Sequence, residues 1–272
     1  GVLTMMNSRV LFGSFVPVDS VLHRLDPRLK LVTCFWYVVI IFFAKGPLTY
    51  LLLVAMLGAM IGLSKVPLKM YWAGLKPLLW VIGLTIAIQV LFSSGGHVYW
   101  HWGLMAITSG GINQALVILA RFILIVLAST VLTATTPPLR LADAIESLMK
   151  PLKKIKVPVN QIAMMISIAL RFIPTIMDEV NTIVKAQQAR GVDFTSGSVY
   201  TRVKRMVPIM VPLFVGAFRR AEDLAVAMEA RGYDPDQERT RYRQLTWRRP
   251  DSIALAVVVI VSVLFFVARI LL

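Results

Sequence analysis

Long runs of apolar residues constrain this chain more than any other feature of its sequence. Four runs lie in the first half, and a fifth closes the chain; they cover residues 29–44, 48–63, 71–92, 111–133 and 252–272. A helix that crosses a bilayer needs about 20 apolar residues, and flanking residues can extend the two shorter runs. Charged residues make up only 16% of the chain, whereas soluble domains carry about a quarter. The sequence therefore predicts an all-α integral membrane protein with about five transmembrane helices.

The basic residues predict how the chain is oriented in the membrane. With five spans, three basic groups fall on one side: Arg24, Arg28 and Lys30; Lys65, Lys69 and Lys76; and the long segment after the fourth run. Lysine and arginine are enriched in cytoplasmic loops, so this side is the cytosol. The formal net charge of +15 then reflects cytosolic segments and contact with anionic lipid rather than nucleic-acid binding. We expect the N-terminus to be cytosolic and the aromatic loop at residues 97–102 to lie outside.

Residues 134–250 differ in character from the apolar runs. They contain 19 of the 29 Lys and Arg residues and 11 of the 14 acidic residues. The segment is too charged to face lipid along its whole length, yet its apolar residues recur at helical spacing. We therefore predict three regions: an N-terminal amphipathic segment with four transmembrane helices (1–133), a cytosolic or interfacial helical domain (134–250), and a last transmembrane helix (251–272).

Three helices are predicted within the charged region. The first begins at Pro137-Pro138 with Thr136 as its cap, and it lies either on the membrane surface or on the surface of the domain. The second covers 159–190, with a proline at position 174 that should kink it. The third covers 203–231. Long amphipathic helices are thus expected to build this domain.

The second and third of these helices end in the same motif, A-x-x-A-R-G-x-D, at an offset of 41 residues. Gly191 and Gly232 are predicted to stop each helix in the left-handed conformation. Arg190 and Arg231 then lie in the last turn, where a cation suits the helix dipole and can form bidentate contacts. One copy alone is ordinary capping chemistry. Two copies on similar helices favour contact with two similar partners, or with two halves of a dimer.

The two Ala-Arg-Gly motifs resemble those of the transmembrane T component of energy-coupling factor (ECF) transporters. The stretch Leu-His-Arg-Leu-Asp-Pro-Arg-Leu-Lys at positions 22–30 is similar to the N-terminal signature of that family. The resemblance covers nearly the whole chain. It implies a subunit of an ABC-type importer of vitamins or transition-metal ions. Such a subunit couples two cytosolic ATPases to a small, substrate-binding membrane protein, the S component, in the cell membrane of a bacterium or archaeon.

The resemblance also implies roles for individual residues. Two triplets would dock to the ATPases, one triplet to each: Ala189, Arg190 and Gly191, and Ala230, Arg231 and Gly232. Apolar residues on the same helices would contact the S component: Ile166, Leu170, Met177, Phe214 and Phe218. The chain would be a non-catalytic subunit without a cofactor of its own, because ATP and Mg²⁺ would bind to the partner ATPases. In agreement, the sequence contains no G-x-x-x-x-G-K-[ST] pattern.

Two other classes of membrane protein are alternatives to this one. A membrane-embedded transferase would need carboxylates for a metal, and the apolar runs contain no Asp or Glu. A stand-alone secondary transporter would need ionisable pairs or broken helices within the membrane. Arg121 in the fourth run has no obvious partner in the sequence and is interpreted as structural. His97 and His101 could share a metal in a helix, but an aromatic belt at the membrane interface is the favoured interpretation.

Overall fold

The structure is a computed structural model that describes residues 15–92, 95, 97–102, 105–155, 158–194, 198–234 and 245–271. Its elements in chain order are α1 (Val21–Arg24), α2 (Pro27–Phe43), α3 (Pro47–Ser64), α4 (Leu68–Leu75), α5 (Leu79–Phe92), β1 (Val98–Trp102), β2 (Met105–Thr108), α6 (Ser109–Thr135), α7 (Pro138–Met149), α8 (Val159–Ala189), α9 (Val199–Ala230) and α10 (Arg249–Leu271). Short 3₁₀ turns cover Lys76–Leu78 and Lys150–Ile155. The all-α prediction is confirmed.

Five of the described helices are long and apolar enough to cross a membrane, and they are α3, α4–α5 taken together, α6, α8 and α10. The predicted number of five is confirmed, but α8 is among these helices in place of the predicted first span, α2. The 17-residue helix α2 spans about 25 Å, slightly less than the bilayer core. By contrast, α8 qualifies because its first 19 residues carry a single charged side chain, Arg171. The charges that suggested a soluble helix lie only in its second half.

By the density of its internal contacts, the chain divides into two compact units. Of the described residues, those within 15–145 and 245–271 form the first unit, and those within 146–234 form the second. Helix α6 is the centre of the first unit, where it packs against α2, α3, α4 and α5. Small residues allow close packing there, since Ala128 and Ala134 are buried and a Cβ on Gly74 would lie 2.9 Å from Thr130 Oγ1. Helices in lipid commonly associate through such small residues.

Apolar side chains cover the outside of the first unit. Phe35, Trp80 and Ile270 are 70%, 80% and 83% exposed. Inside, Tyr37 is buried and its hydroxyl donates a hydrogen bond to the Leu53 carbonyl oxygen at 2.9 Å. A water-soluble domain rarely exposes so much contiguous apolar surface. The burial pattern is the one expected of a helix bundle surrounded by lipid.

The aromatic loop contains a β-hairpin that the sequence analysis did not predict. Strands β1 and β2 pair antiparallel, with Trp102 opposite Met105. His97 and Ser109 close the base of the hairpin through two hydrogen bonds of 3.0 and 2.9 Å. The run of β-branched and aromatic residues accounts for strand formation. In this extended conformation the Cα atoms of His97 and His101 are about 13 Å apart along the chain, rather than one helical turn apart.

Two predicted details of the charged region were wrong. Thr136 does not cap α7; it ends α6, and its hydroxyl accepts a hydrogen bond from Lys30. Helix α9 begins at Val199 rather than at position 203, because Ser198 caps it by accepting a hydrogen bond from the Thr201 N–H. Pro208 and Pro212 lie inside the helix. The proline at position 174 likewise lies inside α8.

Candidate functional site

Helices α8 and α9 resemble each other in length and in terminal sequence. They contain 31 and 32 residues, and the 41-residue offset that aligns their terminal motifs also aligns the helices along their whole length. Both belong to the second unit. We call residues 189–191 the first tip and residues 230–232 the second tip. Each tip contains Ala, Arg and Gly in that order.

The first tip closes α8 with a Schellman motif. Gly191 adopts φ = 85°. Its N–H donates to the Gln188 carbonyl oxygen at 2.9 Å, and the Val192 N–H donates to the Gln187 carbonyl oxygen at 3.0 Å. These two bonds define the motif, and they satisfy carbonyl groups that a helix end otherwise leaves open. Any side chain in place of Gly191 would strain this backbone.

The second tip repeats this geometry at the end of α9. Gly232 adopts φ = 72°. Its N–H donates to the Glu229 carbonyl oxygen at 2.9 Å, and the Tyr233 N–H donates to the Met228 carbonyl oxygen at 3.0 Å. The prediction that both glycines take the left-handed conformation is confirmed. Because the two caps match bond for bond, the preceding arginines leave their helices at equivalent points.

Both tips are open to the surroundings. Ala189, Arg190, Ala230 and Arg231 are all exposed, and no described atom lies within 4 Å of a Cβ built on either glycine. Within the described residues, neither guanidinium group forms an ion pair or a side-chain hydrogen bond. Each tip therefore presents a small, rigid helix end with an unused planar donor group.

The two tips lie on opposite sides of the point where α8 and α9 meet. Glu179 on α8 forms an ion pair with Arg220 on α9. Beyond Glu179 on α8, the Asp193 carbonyl oxygen accepts a hydrogen bond from Arg205, which precedes Arg220 on α9. The helices therefore pass each other antiparallel, and the chain that continues from Arg220 to the second tip runs away from the first tip.

The apolar faces of both helices are accessible. Phe214 and Phe218 on α9 are 58% and 74% exposed, and no described residue of α9 is buried. On α8, Ile166 is exposed, while Leu170 and Met177 are half-buried. The second unit thus carries an unoccupied apolar surface beside its charged tips.

Comparison with known proteins shows which family this chain belongs to. The sequence profile of the CbiQ family, described as cobalt transport protein, matches residues 19–242. The energy-coupling factor transporter transmembrane protein EcfT of Lacticaseibacillus paracasei is 46% identical over 96% of this chain and 99% of its own. The Bacillus subtilis protein of that name is 47% identical over 96% and 99%, and the Lactococcus lactis protein is 48% identical over 94% and 96%. This chain belongs to the EcfT/CbiQ family.

Membership establishes the general role of the chain. It is the transmembrane component of an energy-coupling factor transporter, a multi-subunit complex of the cell membrane. Its relatives are transport components, so it is a non-catalytic subunit. The stand-alone transporter and the transferase are thereby set aside.

The EcfT signature at positions 22–30 folds into a buried polar cluster in the first unit. The Asp26 carboxylate caps α2 by accepting a hydrogen bond from the Arg28 N–H at 2.8 Å. The Arg28 guanidinium returns to the same carboxylate, with Nη2 2.8 Å from Oδ2. Burial raises the pKa of Asp26, but the hydrogen bonds and positive charge of Arg28 prevail, so the pKa lies below the ordinary carboxyl value. The Asp26 carboxyl is therefore ionised at neutral pH.

Sequence reasoning missed the partner of this cluster, Asp251. This residue is only 2% exposed, and its two carboxylate oxygens accept hydrogen bonds from the Asp26 N–H at 2.7 Å and the Arg248 N–H at 2.8 Å. The Arg28 guanidinium also donates to the Leu245 carbonyl oxygen at 3.3 Å. An acidic residue in the first turn of a helix was the available signal, but its partner lies 225 residues away in the chain.

Lys30 completes the role of the signature by holding the end of α6. Its Nζ donates to the Thr135 carbonyl oxygen at 3.0 Å and to Thr136 Oγ1 at 3.2 Å. A lysine amine is a good cap for open carbonyls at a helix C-terminus. The chain passes from the first unit to the second within α7 and returns before α10. The signature therefore holds the backbone at the end of α6, before the second unit, and at the start of α10, after it.

Arg121, in the fourth apolar run, contacts residues of two neighbouring helices in the first unit. Arg121 Nε donates to the Tyr50 hydroxyl at 3.1 Å, and the guanidinium lies 5.9 Å from the centre of the Phe42 ring. These contacts join α6 to α3 and α2. In the described part of the chain, no group of three or more His, Cys, Asp or Glu residues is placed to hold a metal ion.

Proposed function

We propose that this chain couples ATP hydrolysis by two cytosolic ABC-type ATPases to the reorientation of a membrane-embedded S component that carries a vitamin or a transition-metal ion. The observation that supports this proposal best is the pair of matching helix tips. Two equivalent caps with equivalent free arginines suit two equivalent protein surfaces. A dimer of ATPase subunits offers such a pair.

The chemistry of each tip suits a groove on a soluble protein. Ala189 and Ala230 let the helix end approach a surface closely. Arg190 and Arg231 present planar donors to carboxylates and backbone oxygens. The Schellman caps keep the tips short, so that the arginine is the outermost large side chain of each helix.

The apolar faces of α8 and α9 suit the second partner. Ile166, Leu170, Met177, Phe214 and Phe218 precede the tips on their helices, and we assign them to contact with the S component. One rigid helix would then touch a membrane protein along its apolar part and a soluble ATPase at its tip. Movement of the ATPases would be transmitted through the helix to the S component.

We also propose the orientation in which the N-terminus and both tips are cytosolic. The positive-inside rule supports it. If α2, α3, α4–α5, α6 and α10 cross the membrane, the same side receives the basic residues of the signature, of the α3–α4 connection and of residues 146–234. The hairpin of β1 and β2 would then lie outside the cell. In this arrangement α2 crosses the membrane, and α8 lies at its cytosolic surface.

Replacing both Arg190 and Arg231 with Glu tests the docking role. The full chain, tagged and co-expressed with its ATPases, should purify with two ATPase subunits, and the double variant should lose them. Reversing a buried interfacial charge contact costs about 2–5 kcal/mol, which is about 30-fold or more in affinity for each tip. Quantitative co-purification and ATP-driven uptake in proteoliposomes are the measurements.

The matched control is Lys185→Glu with Arg219→Glu. These exposed residues lie on the same two helices, and the control changes the net charge by the same amount. It should retain both ATPases. Equal loss in the control and in the tip variant would show that overall charge, and not the tips, governs assembly. Full assembly and uptake by the tip variant would refute the docking role.

A further inference from the structure

The ion pair between Glu179 and Arg220 joins equivalent positions of the two copies. The residues are 41 positions apart, the same offset that relates the first tip to the second. A position meets its own equivalent only where a local two-fold axis passes between two copies. Glu179 and Arg220 therefore mark the local two-fold axis of the α8–α9 pair.

Close packing at this point depends on Gly216. A Cβ at this position would lie 2.6 Å from Glu179 Oε1 and 3.4 Å from Arg220 Nη2. Glycine within a helix is less stabilising than alanine, and its lack of a side chain here leaves room for the carboxylate of the opposing helix. The ion pair joins the two helices directly, so it contributes to their relative angle.

The arms that extend from the ion pair to the tips are equal and uninterrupted. Arg190 lies eleven positions after Glu179, and Arg231 lies eleven positions after Arg220. Each arm is about 16 Å long. The prolines of both helices, at positions 174, 208 and 212, all precede the ion pair, so neither arm contains a residue that would kink it.

We propose that Glu179 and Arg220 are a positioning pair that pins α8 and α9 at their crossing and sets the spacing between the two tips. With arms of about 16 Å, a 10° change in the angle between the helices moves the tips relative to each other by up to about 3 Å. The pair presents the two tips symmetrically about one axis, which matches the axis of a two-fold ATPase dimer. That last point rests on the proposed function, whereas the pinning itself does not.

The test measures the spacing of the tips in the full chain without ATPases. Spin labels are placed at Gln188→Cys and Glu229→Cys, two exposed and equivalent positions, in a chain carrying Cys34→Ala and reconstituted in lipid nanodiscs. Pulsed electron–electron double resonance then gives the distribution of distances between the two spin labels. Glu179→Arg and Arg220→Glu should each broaden or shift this distribution, by up to about 3 Å for a 10° change in the angle between the helices. The double exchange Glu179→Arg with Arg220→Glu should restore it.

Two further variants make the result specific. The exchange Asp178→Arg with Arg219→Asp is the matched control, because these exposed residues are also equivalent, lie one position away, and form no ion pair within the described structure. It should leave the distribution unchanged. Gly216→Leu should broaden it without altering any charge, since the new side chain displaces the Glu179 carboxylate.

The pinning would be overturned by an unchanged distribution in the single variants, or by a charge exchange that fails to restore it. A separate binding experiment with the unaltered chain reports on the proposed function. Correct spacing together with failure to bind ATPases would refute the function and leave the pin intact. Normal ATPase binding by Glu179→Arg, with spacing also unchanged, would refute the pin and leave the function intact.

Discussion

Replacing Asp251 with alanine should destabilise the chain far more than its position at the start of a helix suggests. The carboxylate is 2% exposed and accepts hydrogen bonds from the N–H groups of Asp26 and Arg248 at 2.7 and 2.8 Å. A hydrogen bond to a charged group contributes about 1.5–3 kcal/mol, and a buried N–H left without an acceptor is costly. We therefore expect a loss of about 3–5 kcal/mol from the two bonds together. For a chain of this size that lowers Tm by on the order of 10 °C.

The assay is thermal unfolding of the purified full chain in detergent, followed by tryptophan fluorescence. Trp247 is a local reporter, because its Nε1 donates to Ser252 Oγ at 2.9 Å beside the altered residue. Asp251→Asn keeps one acceptor oxygen and should fall between the alanine variant and the unaltered chain. Asp19→Ala is the control, since that carboxyl side chain is 86% exposed and its ion pair with Arg24 spans 3.5 Å, so it should change stability by less than about 1 kcal/mol. Equal melting temperatures for Asp251→Ala and Asp19→Ala would refute the reasoning.

Two other predictions concern the partners and the orientation. Phe214→Ala with Phe218→Ala should weaken capture of the S component by about 100-fold or more, since each ring contributes about 1.5–3 kcal/mol when buried. ATPase binding should persist, and the control Phe35→Ala, at a similarly exposed ring, should have no effect. Normal capture by the double variant would place the S component elsewhere. In a chain with Cys34→Ala, cysteines introduced at Lys154 and Gln188 should both react with a membrane-impermeant maleimide from the cytosolic face only, and a cysteine at Tyr99 from the opposite face. Labelling of Lys154 and Gln188 from opposite faces would show that α8 crosses the membrane and that the proposed orientation is wrong.

Patterns that depend on nearby residues were readable from the sequence. The apolar runs predicted the membrane helices because lipid requires a continuous apolar stretch whose backbone hydrogen bonds are satisfied internally. The glycines at 191 and 232 predicted the helix ends because the left-handed conformation costs glycine little. The two tips follow from these local rules, and the structure adds that their caps are identical bond for bond.

Some local features were misread because two local rules competed. Thr136 had the chemistry of an N-cap for α7, but it lies at the end of α6, where Lys30 occupies its hydroxyl. The aromatic stretch after position 97 was expected to be irregular, but it pairs with the next segment as a hairpin. A strand is stabilised by pairing with a second segment, so the sequence of one segment alone under-predicts strand formation.

The sequence by itself determined the membrane class of the protein, the repeated tips and the position of the signature, because each depends on residues that are close in the chain. Only the tertiary structure decided what those residues touch. It placed Asp251 against Asp26 across 225 residues and Glu179 against Arg220 across 41. Such contacts depend on how helices pack in three dimensions, and a single sequence carries no local signal for them. The buried carboxylate and the crossing point are therefore properties of the fold, whereas the tips are properties of the chain.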